Sequence, residues 1–413
     1  MAVTIVGAGI GGLTLALQLH ARGIHCRVYE AVASVEPLGV GINVLPHAMK
    51  EMAALGIADE IRAAGVETAN YCFFNRYGQL IHQEQRGVAA GYQWPQVSIH
   101  RGVLQQILLA KVLERLGPDS VRTGARFVHC DQTEFGVHVS FEYEGGFVDS
   151  FLTEILVGCD GIRSAVRKHV FSAPDPLVYA GITMWRGITR WPPILDGKTM
   201  VYAGWLETGK LITYPISDEL DENGHQLINW LVEFFVPPRD PSADWAQVGK
   251  LEDFRWACDG LRLDFLDVVE FVSAAQQIFE YPMVDRDPIP YWTDGLITLL
   301  GDAAHPMTPR GSNGAGQAIL DARVLADQLA EHADPFVALH QYDSMRVEAT
   351  TRVVHANRTE PPDAILREIY QRTGDQPFDN IADIISADEI TQISARYKRA
   401  AGFAQEQLNE SNQ

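Results

Sequence analysis

Short apolar runs without alternation predict the strands at the start of this chain. The first run covers Ala2 to Val6 and leads into a group of glycines. Apolar residues then recur at helical spacing from Leu13 to Leu19, and a second run covers Ile24 to Tyr29. Because parallel strands buried on both faces read as continuous apolar runs, this order predicts a β-α-β unit.

The same type of run returns much later in the chain. Phe151 to Val157 and Gly295 to Leu300 are both predicted as buried strands. A helix is predicted from about Arg101 to Leu116, opened near Ser98 and ended by Gly117-Pro118. The pieces of one parallel sheet are therefore separated along the sequence.

A different pattern lies between these pieces. Tyr179 to Val236 is rich in aromatic and β-branched residues with turn residues at intervals, which predicts antiparallel strands. Tyr71 to Gln85 predicts a hairpin that could join the same sheet. From about Gln317 the chain is largely helical, with a break at Pro361-Pro362.

The predicted fold class is α/β. A Rossmann-like domain is assembled from residues 1–70, 98–175 and 280–360. An antiparallel β-sheet domain, from residues 71–97 and 176–279, is inserted into it, and residues 361–413 form a C-terminal helical segment. The inserted sheet is expected to bind the substrate.

Composition excludes several classes of function. The 413 residues carry a net charge of −20 with no basic block, so nucleic acid is not an expected partner. No apolar stretch is long enough to span a bilayer, and the first strand leaves no room for a signal peptide, so we expect a cytoplasmic protein without integral membrane association. The cysteines are scattered, which predicts reduced thiols and no metal site: Cys26, Cys72, Cys130, Cys159 and Cys258.

The first chemical motif is Gly7-x-Gly9-x-x-Gly12, between a strand and a helix. Gly7 permits a tight turn, Gly9 lets a pyrophosphate approach the backbone, and Gly12 lets the helix pack closely on the strand. Glu30 ends the next strand, where a carboxylate can accept hydrogen bonds from ribose hydroxyls. The motif predicts dinucleotide binding and leaves open whether the dinucleotide is FAD or NAD.

The second motif follows the strand that ends at Leu300. Asp302 stands where a carboxylate can bind the ribityl hydroxyls of FAD, a group that NAD lacks. The glycine-rich stretch that comes next could turn backbone N–H groups toward an electron-rich flavin edge. Its members are Pro309, Gly311, Gly314 and Gly316. His305 is a candidate general base, but a positioning or packing role is favoured.

The third motif has the spacing Asp-Gly-x-x-Ser-x-x-Arg, from Asp160 to Arg167. An Asp-Gly pair is by itself typical of a turn. Its place after a buried strand favours a cofactor element, in which Asp160 could orient the backbone and Arg163 or Arg167 could meet a phosphate.

Together the three motifs resemble the single-component FAD-dependent aromatic hydroxylases, the p-hydroxybenzoate and salicylate hydroxylase family. The resemblance covers nearly the whole chain. It is closer to the phenazine-carboxylate monooxygenases of the pyocyanin pathway, through the stretches 37–43, 98–102, 181–187 and 281–288. It implies the p-hydroxybenzoate hydroxylase fold and non-covalent FAD. No second glycine triplet is present, in agreement with transient docking of NADH or NADPH in this family.

The resemblance also implies a reaction and roles for residues. An aromatic or N-heteroaromatic substrate would be hydroxylated with NAD(P)H and O2 through a flavin C4a-hydroperoxide, with or without decarboxylation, by a monomer or homodimer. Arg101 would contact the FAD phosphate or ribose, Gly41 and Ile42 would lie beside the mobile isoalloxazine ring, and Gly314 and Gly316 near its pyrimidine edge. Many relatives have asparagine where this chain has Gly316.

Residues of the inserted sheet are the candidates for the substrate pocket. Met184, Tyr202, Tyr214 and Trp230 are proposed to line it, against the alternative that each belongs to ordinary sheet core. Arg186 could pair with a substrate carboxylate or occupy an exposed edge. Two other functions stay open at this point: a flavin-dependent oxidase or reductase, and a flavin-binding protein without turnover.

Overall fold

The computed structural model describes residues 1–36, 39–237 and 247–410. Pro37 and Leu38, which open one of the stretches resembling the phenazine enzymes, lie outside the described residues. So do residues 238–246 of the predicted sheet domain and residues 411–413 of the predicted C-terminal segment.

A six-stranded sheet organises the first domain. Its strands are parallel except for the edge strand at 293–294. Their spatial order is Thr293–Asp294, Ile297–Leu299, Ile155–Gly158, Ala2–Val6, His25–Tyr29 and Val121–Arg122. The strand at 2–6 lies centrally, with Val3 opposite both Cys26 and Ile155. The predicted β-α-β unit is confirmed, with the helix Ile10–Ala21 as its crossover.

Long helices cover this sheet and bury its apolar side chains. The helix Arg101–Leu116 has the predicted bounds, and Gly117 ends it with a φ of +94°. Its N-cap is His100 rather than Ser98, since the imidazole Nδ1 accepts a hydrogen bond from Gly102 N at 3.1 Å. The helix Gly314–Glu331 packs against Ile10–Ala21 and brings its first turn to the carboxyl edge of the sheet.

The predicted strand from Phe151 to Val157 is wrong in one respect, because two sheets share it. Val148–Thr153 belongs to a three-stranded antiparallel sheet with Arg126–Thr133 and Gly136–Glu142, whereas Ile155–Gly158 enters the parallel sheet. The chain bends at Glu154. A run of apolar residues does not show such a bend, since apolar residues continue on both sides of Thr153 and Glu154.

An eight-stranded sheet forms the second domain. Its strands are antiparallel except for one parallel pair, between 70–74 and 199–205. Their order is Gln247–Val248, Ile278–Asp285, Val178–Trp191, Gln226–Phe235, Gly209–Pro215, Thr199–Trp205, Asn70–Phe74 and Leu80–Gln85. The predicted hairpin at 71–85 joins this sheet. The strand at 278–285 also belongs to it, so the predicted domain boundary at residue 280 cuts a strand.

The two faces of this sheet have different neighbours. One face buries Trp185 and Trp230 against the helices Leu251–Asp259 and Val268–Ser273. The other face, with Tyr202 and Tyr214, packs toward the C-terminal helices. Because successive side chains of a strand point to opposite faces, neighbouring residues meet different surroundings.

The remaining elements connect these sheets. A small sheet contains Gly41–Val44, Val97–His100 and Val66–Glu67. Further α-helices are Pro46–Ala54, Ala58–Ala64 and Arg167–Val170. The short 3-10 helices are Gly87–Ala90, Pro118–Ser120, Gly301–Ala303, Pro309–Gly311 and Ile381–Asp383.

The C-terminal part is helical, as predicted. Its helices are Pro335–Thr359, Ala364–Thr373, Ala387–Ala400 and Gln405–Glu410. The predicted break at Pro361-Pro362 separates the first two of them. Across the described ranges, no helix combines the length and apolar character that crossing a membrane requires.

Candidate active site

The glycine turn presents bare backbone to an open cavity. Gly7 has a φ of +107°, and a Cβ there would lie 2.5 Å from Cys159 O. A Cβ on Gly12 would lie 2.1 Å from Gly7 O, whereas a Cβ on Gly9 would meet no atom within 4 Å. The following helix has no capping side chain and no acidic residue in its first turn. Its free N–H groups can therefore bind a phosphate that approaches over Gly9.

Glu30 stands at one end of this cavity. Its carboxylate accepts hydrogen bonds from Ala8 N at 2.7 Å and Val32 N at 3.0 Å. The side chain lines a cavity of about 540 Å³ together with Gln105 and Arg126. Each carboxylate oxygen can accept a further hydrogen bond, so Glu30 can still bind a ribose hydroxyl.

A second cavity of about 390 Å³ continues from the first. Four residues line both: Gly9, Arg101, Cys159 and Gly161. The combined space runs from Glu30, past the glycine turn, to the eight-stranded sheet. An elongated dinucleotide is the kind of molecule that such a space accommodates.

The far end of the second cavity lies between the two domains. The first domain contributes five of the expected FAD-binding residues: Gly41, Ile42, Asp302, Pro309 and Gly314. The helix that begins at Gly314 has no capping side chain. Burial raises the pKa of Asp302. Free helix N–H groups and a carboxylate thus stand on the wall where the resemblance places the flavin.

Gly41 is anchored to the sheet rather than free. Gly41 N donates to Asn229 Oδ1 at 2.7 Å, and Arg186 Nη2 donates to Gly41 O at 3.2 Å. A Cβ on Gly41 would lie 2.7 Å from the Tyr214 ring. Only glycine permits this close approach.

Two glycines of the second motif do not line the cavity, and other side chains fill the space where their Cβ atoms would be. A Cβ on Gly316 would lie 2.5 Å from His47 Nε2. The imidazole of His47 thus fills the space that a side chain at position 316 would need. A Cβ on Gly311 would lie 1.4 Å from the Tyr397 hydroxyl.

The third motif divides into a structural and a cavity part. Asp160 accepts hydrogen bonds from Ser164 Oγ, Ala165 N and Val166 N, which fixes the turn. Asp160 and Arg163 line the cavity near Glu30. Arg167 does not. Its guanidinium pairs with Asp175 at 2.6 Å, so the suggestion that Arg167 meets a phosphate is corrected.

His305 is buried away from the cavity, which supports a positioning role. Its Nε2 lies 2.5 Å from Asp321 Oδ2, and Asp321 also pairs with Arg346 at 2.7 Å. Asp321 Oδ2 accepts a hydrogen bond from Gly301 N at 3.1 Å, beside Asp302. Burial alone would raise the pKa of Asp321, but His305 and Arg346 hold it below its usual value. No sequence signal distinguishes Asp321 from other helical acids.

The sheet supplies the other wall, with residues in alternating positions. Three of the proposed pocket residues line the cavity: Arg186, Tyr202 and Tyr214. Burial raises the pKa of Tyr214 to about 12, so its hydroxyl stays protonated. Three apolar residues were missed: Met200, Ile212 and Leu231. Met200 and Ile212 lie two positions before Tyr202 and Tyr214, so strand alternation places each of them on the same face as a proposed pocket tyrosine.

Two predicted pocket residues are placed elsewhere. Met184 is buried on the cavity face of the sheet but is not among the lining residues. Trp230 lies on the opposite face, where its Nε1 donates to Thr189 Oγ1 at 2.9 Å and its ring packs near Phe254. The prediction of Trp230 as a pocket residue is therefore corrected.

Comparison with known proteins agrees with this geometry. The family model described as an FAD binding domain matches residues 1–174 and 279–357, more than half of the chain. Phenazine 1,6-dicarboxylic acid hydroxylase PhzS of Lysobacter antibioticus is 43% identical over 93% of this chain and 95% of its own. The 6-hydroxynicotinate 3-monooxygenase of Pseudomonas fluorescens is 28% identical over 90% and 91%.

Solved structures show the same fold. Klebsiella pneumoniae HpxO complexed with FAD and uric acid superposes with a TM-score of 0.76 at 24% identity, covering 97% of both chains. A salicylate hydroxylase substrate complex gives a TM-score of 0.73 at 20% identity, covering 97% of this chain and 98% of that one.

The chain belongs to the FAD-binding-domain family of aromatic hydroxylases. It has the p-hydroxybenzoate hydroxylase type of fold and is an FAD- and NAD(P)H-dependent aromatic monooxygenase. The cavity fits this cofactor, because Gly9 leaves open space over a helix N-terminus and Glu30 and Asp302 stand at separate points along it.

Proposed function

We propose that this monooxygenase hydroxylates an aromatic or N-heteroaromatic ring that carries a carboxylate, and that Arg186 binds the carboxylate. The observation that carries the proposal is the charge at the sheet end of the cavity. The charged residues lining this cavity are Arg101, Arg186, Arg310 and Asp302. Arg310 is paired with Asp363, and Arg101 stands where the two cavities join, so Arg186 is the cation at the sheet end that an anionic substrate would meet.

Arg186 is suited to this role by its surroundings. Among the described residues its Nε is buried without a hydrogen-bond partner, and its Nη2 is held by Gly41 O. Burial lowers the pKa of Arg186, because a buried guanidinium loses the solvation that stabilises its charge. A carboxylate would supply that charge and accept a paired hydrogen bond from the guanidinium.

The neighbouring residues would orient the ring. Met200, Tyr202, Ile212 and Leu231 form an apolar and aromatic wall, which suits a flat ring and excludes water. The Tyr214 hydroxyl can donate to a ring nitrogen or a hydroxyl. Phenazine 1,6-dicarboxylic acid and 6-hydroxynicotinate, the substrates named for two relatives, are both carboxylated N-heteroaromatics. This likeness supports the substrate class proposed.

We further propose which residues hold FAD. Glu30 would bind the ribose, the turn from Gly7 to Gly12 with Arg101 the phosphates, and Asp302 the ribityl chain. Ile42 and the helix N-terminus at Gly314 would flank the ring. FAD, when bound, takes up reducing equivalents from NAD(P)H and activates dioxygen. The chain's own contribution is to place the ring beside the substrate wall and to keep water out.

The test compares carboxylated rings with their methyl esters. Purified protein would be given phenazine, pyridine and benzene carboxylates, and both NAD(P)H consumption and hydroxylated or decarboxylated product would be measured. Arg186→Gln is expected to raise the substrate dissociation constant by about 10- to 100-fold for acids, and much less for esters, through loss of a charge-assisted pair. Arg190→Gln, an exposed change on the same strand, is the matched control. Equal binding of acids and esters would refute the proposal.

A further inference from the structure

The C-terminal segment, residues 361–410, packs behind one wall of the cavity although it lies outside the matched FAD-binding domain. The relevant part of the cavity wall is the loop 308–313, here named the cavity loop. Five of its residues line the sheet end of the cavity: Thr308, Pro309, Arg310, Ser312 and Asn313. Their position beside the flavin and the substrate depends on what supports the loop on its other side.

Tyr397 supports it through a buried hydroxyl. This residue lies in the helix Ala387–Ala400 and is 2% exposed. Its hydroxyl donates to Asn357 Oδ1 at 2.8 Å, and Asn357 Nδ2 donates to Thr308 O at 3.1 Å. Asn313 Nδ2 lies 3.5 Å from the same hydroxyl. One phenolic oxygen thus connects both ends of the cavity loop.

Gly311, in the middle of the cavity loop, packs against the same Tyr397 hydroxyl. A Cβ on Gly311 would lie 1.4 Å from the Tyr397 hydroxyl, so the loop approaches the tyrosine as closely as its backbone permits. The hydroxyl occupies the position that a side chain at 311 would take. Only glycine therefore fits at position 311 while Tyr397 stays in place.

A second contact from the C-terminal segment holds the loop by charge. Asp363 pairs with Arg310 at 3.1 Å and also contacts Lys210 of the sheet. The side chains of Asp363 and Lys210 are 1% and 0% exposed. Burial opposes ionisation of Asp363, but Arg310 and Lys210 hold its pKa down to about 2. The segment therefore ties the cavity loop to the sheet that bears the substrate wall.

We propose that Tyr397 is a positioning residue of the hydroxylation reaction, which holds the cavity loop against the sheet end of the cavity, with Asp363 as a second support. The proposal rests on the proposed function in one respect, the placement of the flavin ring at this end. The C-terminal segment then supports the active site through the cavity loop without lining the cavity itself.

Tyr397→Phe tests the proposal because it removes one oxygen and keeps the ring. A loop held by one fewer buried hydrogen bond should leave its active position about five times more often. We expect product formed per NAD(P)H consumed to fall by about two- to five-fold, with the remainder recovered as hydrogen peroxide. The absorption maximum of bound FAD and its midpoint potential should shift, since the loop lies beside the ring.

Tyr92→Phe is the matched control. Its hydroxyl is also buried and donates to Phe403 O of the C-terminal segment at 2.9 Å. Within the described residues it makes no hydrogen bond to the cavity loop. Both variants should lose stability, but only Tyr397→Phe should change coupling and the flavin spectrum. If the two variants behave alike, or if only thermal stability falls, Tyr397 is merely structural and the proposal is overturned.

The two proposals fail separately. If no carboxylated ring is hydroxylated, the function proposed above fails, while the flavin spectrum and potential of Tyr397→Phe still test the positioning role. If Arg186→Gln weakens acid binding but Tyr397→Phe leaves the spectrum and potential unchanged, the positioning proposal alone is refuted.

Discussion

Lys210 offers the sharpest test of the energetics that this fold implies. Its ammonium group is fully buried and contacts two carboxylates, those of Glu233 and Asp363. The change Lys210→Met removes the cation and keeps an apolar stem of similar length. It leaves the Glu233 carboxylate buried without its counter-ion, while Asp363 keeps Arg310.

The size of the effect follows from the asymmetry of buried ion pairs. Breaking a pair by removing one partner costs about 3–5 kcal/mol, because an uncompensated charge stays buried. We therefore expect Lys210→Met to lower the free energy of unfolding by about that amount at neutral pH. The double change Lys210→Met with Glu233→Gln should recover a large part, since it removes the unpaired charge as well. Lys198→Met, on the exposed surface beside the same sheet, should change stability by under about 0.5 kcal/mol.

The pH dependence has a defined sign. The folded-state pKa of Asp363 is held down to about 2, below its value in an unfolded chain. Its ion pairs therefore contribute stability above that unfolded value, and the contribution is lost as the pH falls toward 2. The difference between wild type and Lys210→Met should shrink over this acidic range.

Urea unfolding of the FAD-saturated protein, followed by far-ultraviolet circular dichroism at several pH values, measures these quantities. A loss under about 1 kcal/mol at neutral pH, or a double variant no more stable than Lys210→Met, would refute the reasoning about this buried cluster.

Two further changes test the placement of the cavity. Gly9→Ala should leave the stability of the apoprotein unchanged, because its Cβ would meet no protein atom within 4 Å, yet it should weaken FAD binding at least about ten-fold by intruding on the pyrophosphate path. Fluorescence titration of FAD measures this, and unchanged affinity would contradict the path. Trp230→Phe should cost about 2 kcal/mol of stability and leave substrate affinity unchanged, since Trp230 packs on the face away from the cavity. A selective loss of substrate affinity, seen by flavin absorbance titration, would reverse the assignment of faces.

The sequence by itself determined what depends on local pattern. The β-α-β unit, the glycine turn and the helix from Arg101 to Leu116 follow from apolar periodicity and from glycines at fixed spacing. The inserted sheet and the hairpin that joins it follow from residue preference and turn spacing. Each of these signals lies within a few tens of residues, and no distant contact is needed to interpret it.

The tertiary structure decided what depends on register and on distant contacts. Trp230 and Leu231 are adjacent in sequence and apolar, yet only Leu231 faces the cavity, because strand pairing sets which of the two points inward. Likewise, the bend at Glu154 divides one apolar run between two sheets. The ion pair with Asp175 keeps Arg167 away from the cavity that Arg163 lines.

The contact between Tyr397 and the loop at Gly311 joins residues far apart in the chain. No spacing rule relates a tyrosine of a late helix to a glycine of an earlier loop. Packing alone brings them together, since the C-terminal helices must bury their apolar faces against the rest of the molecule.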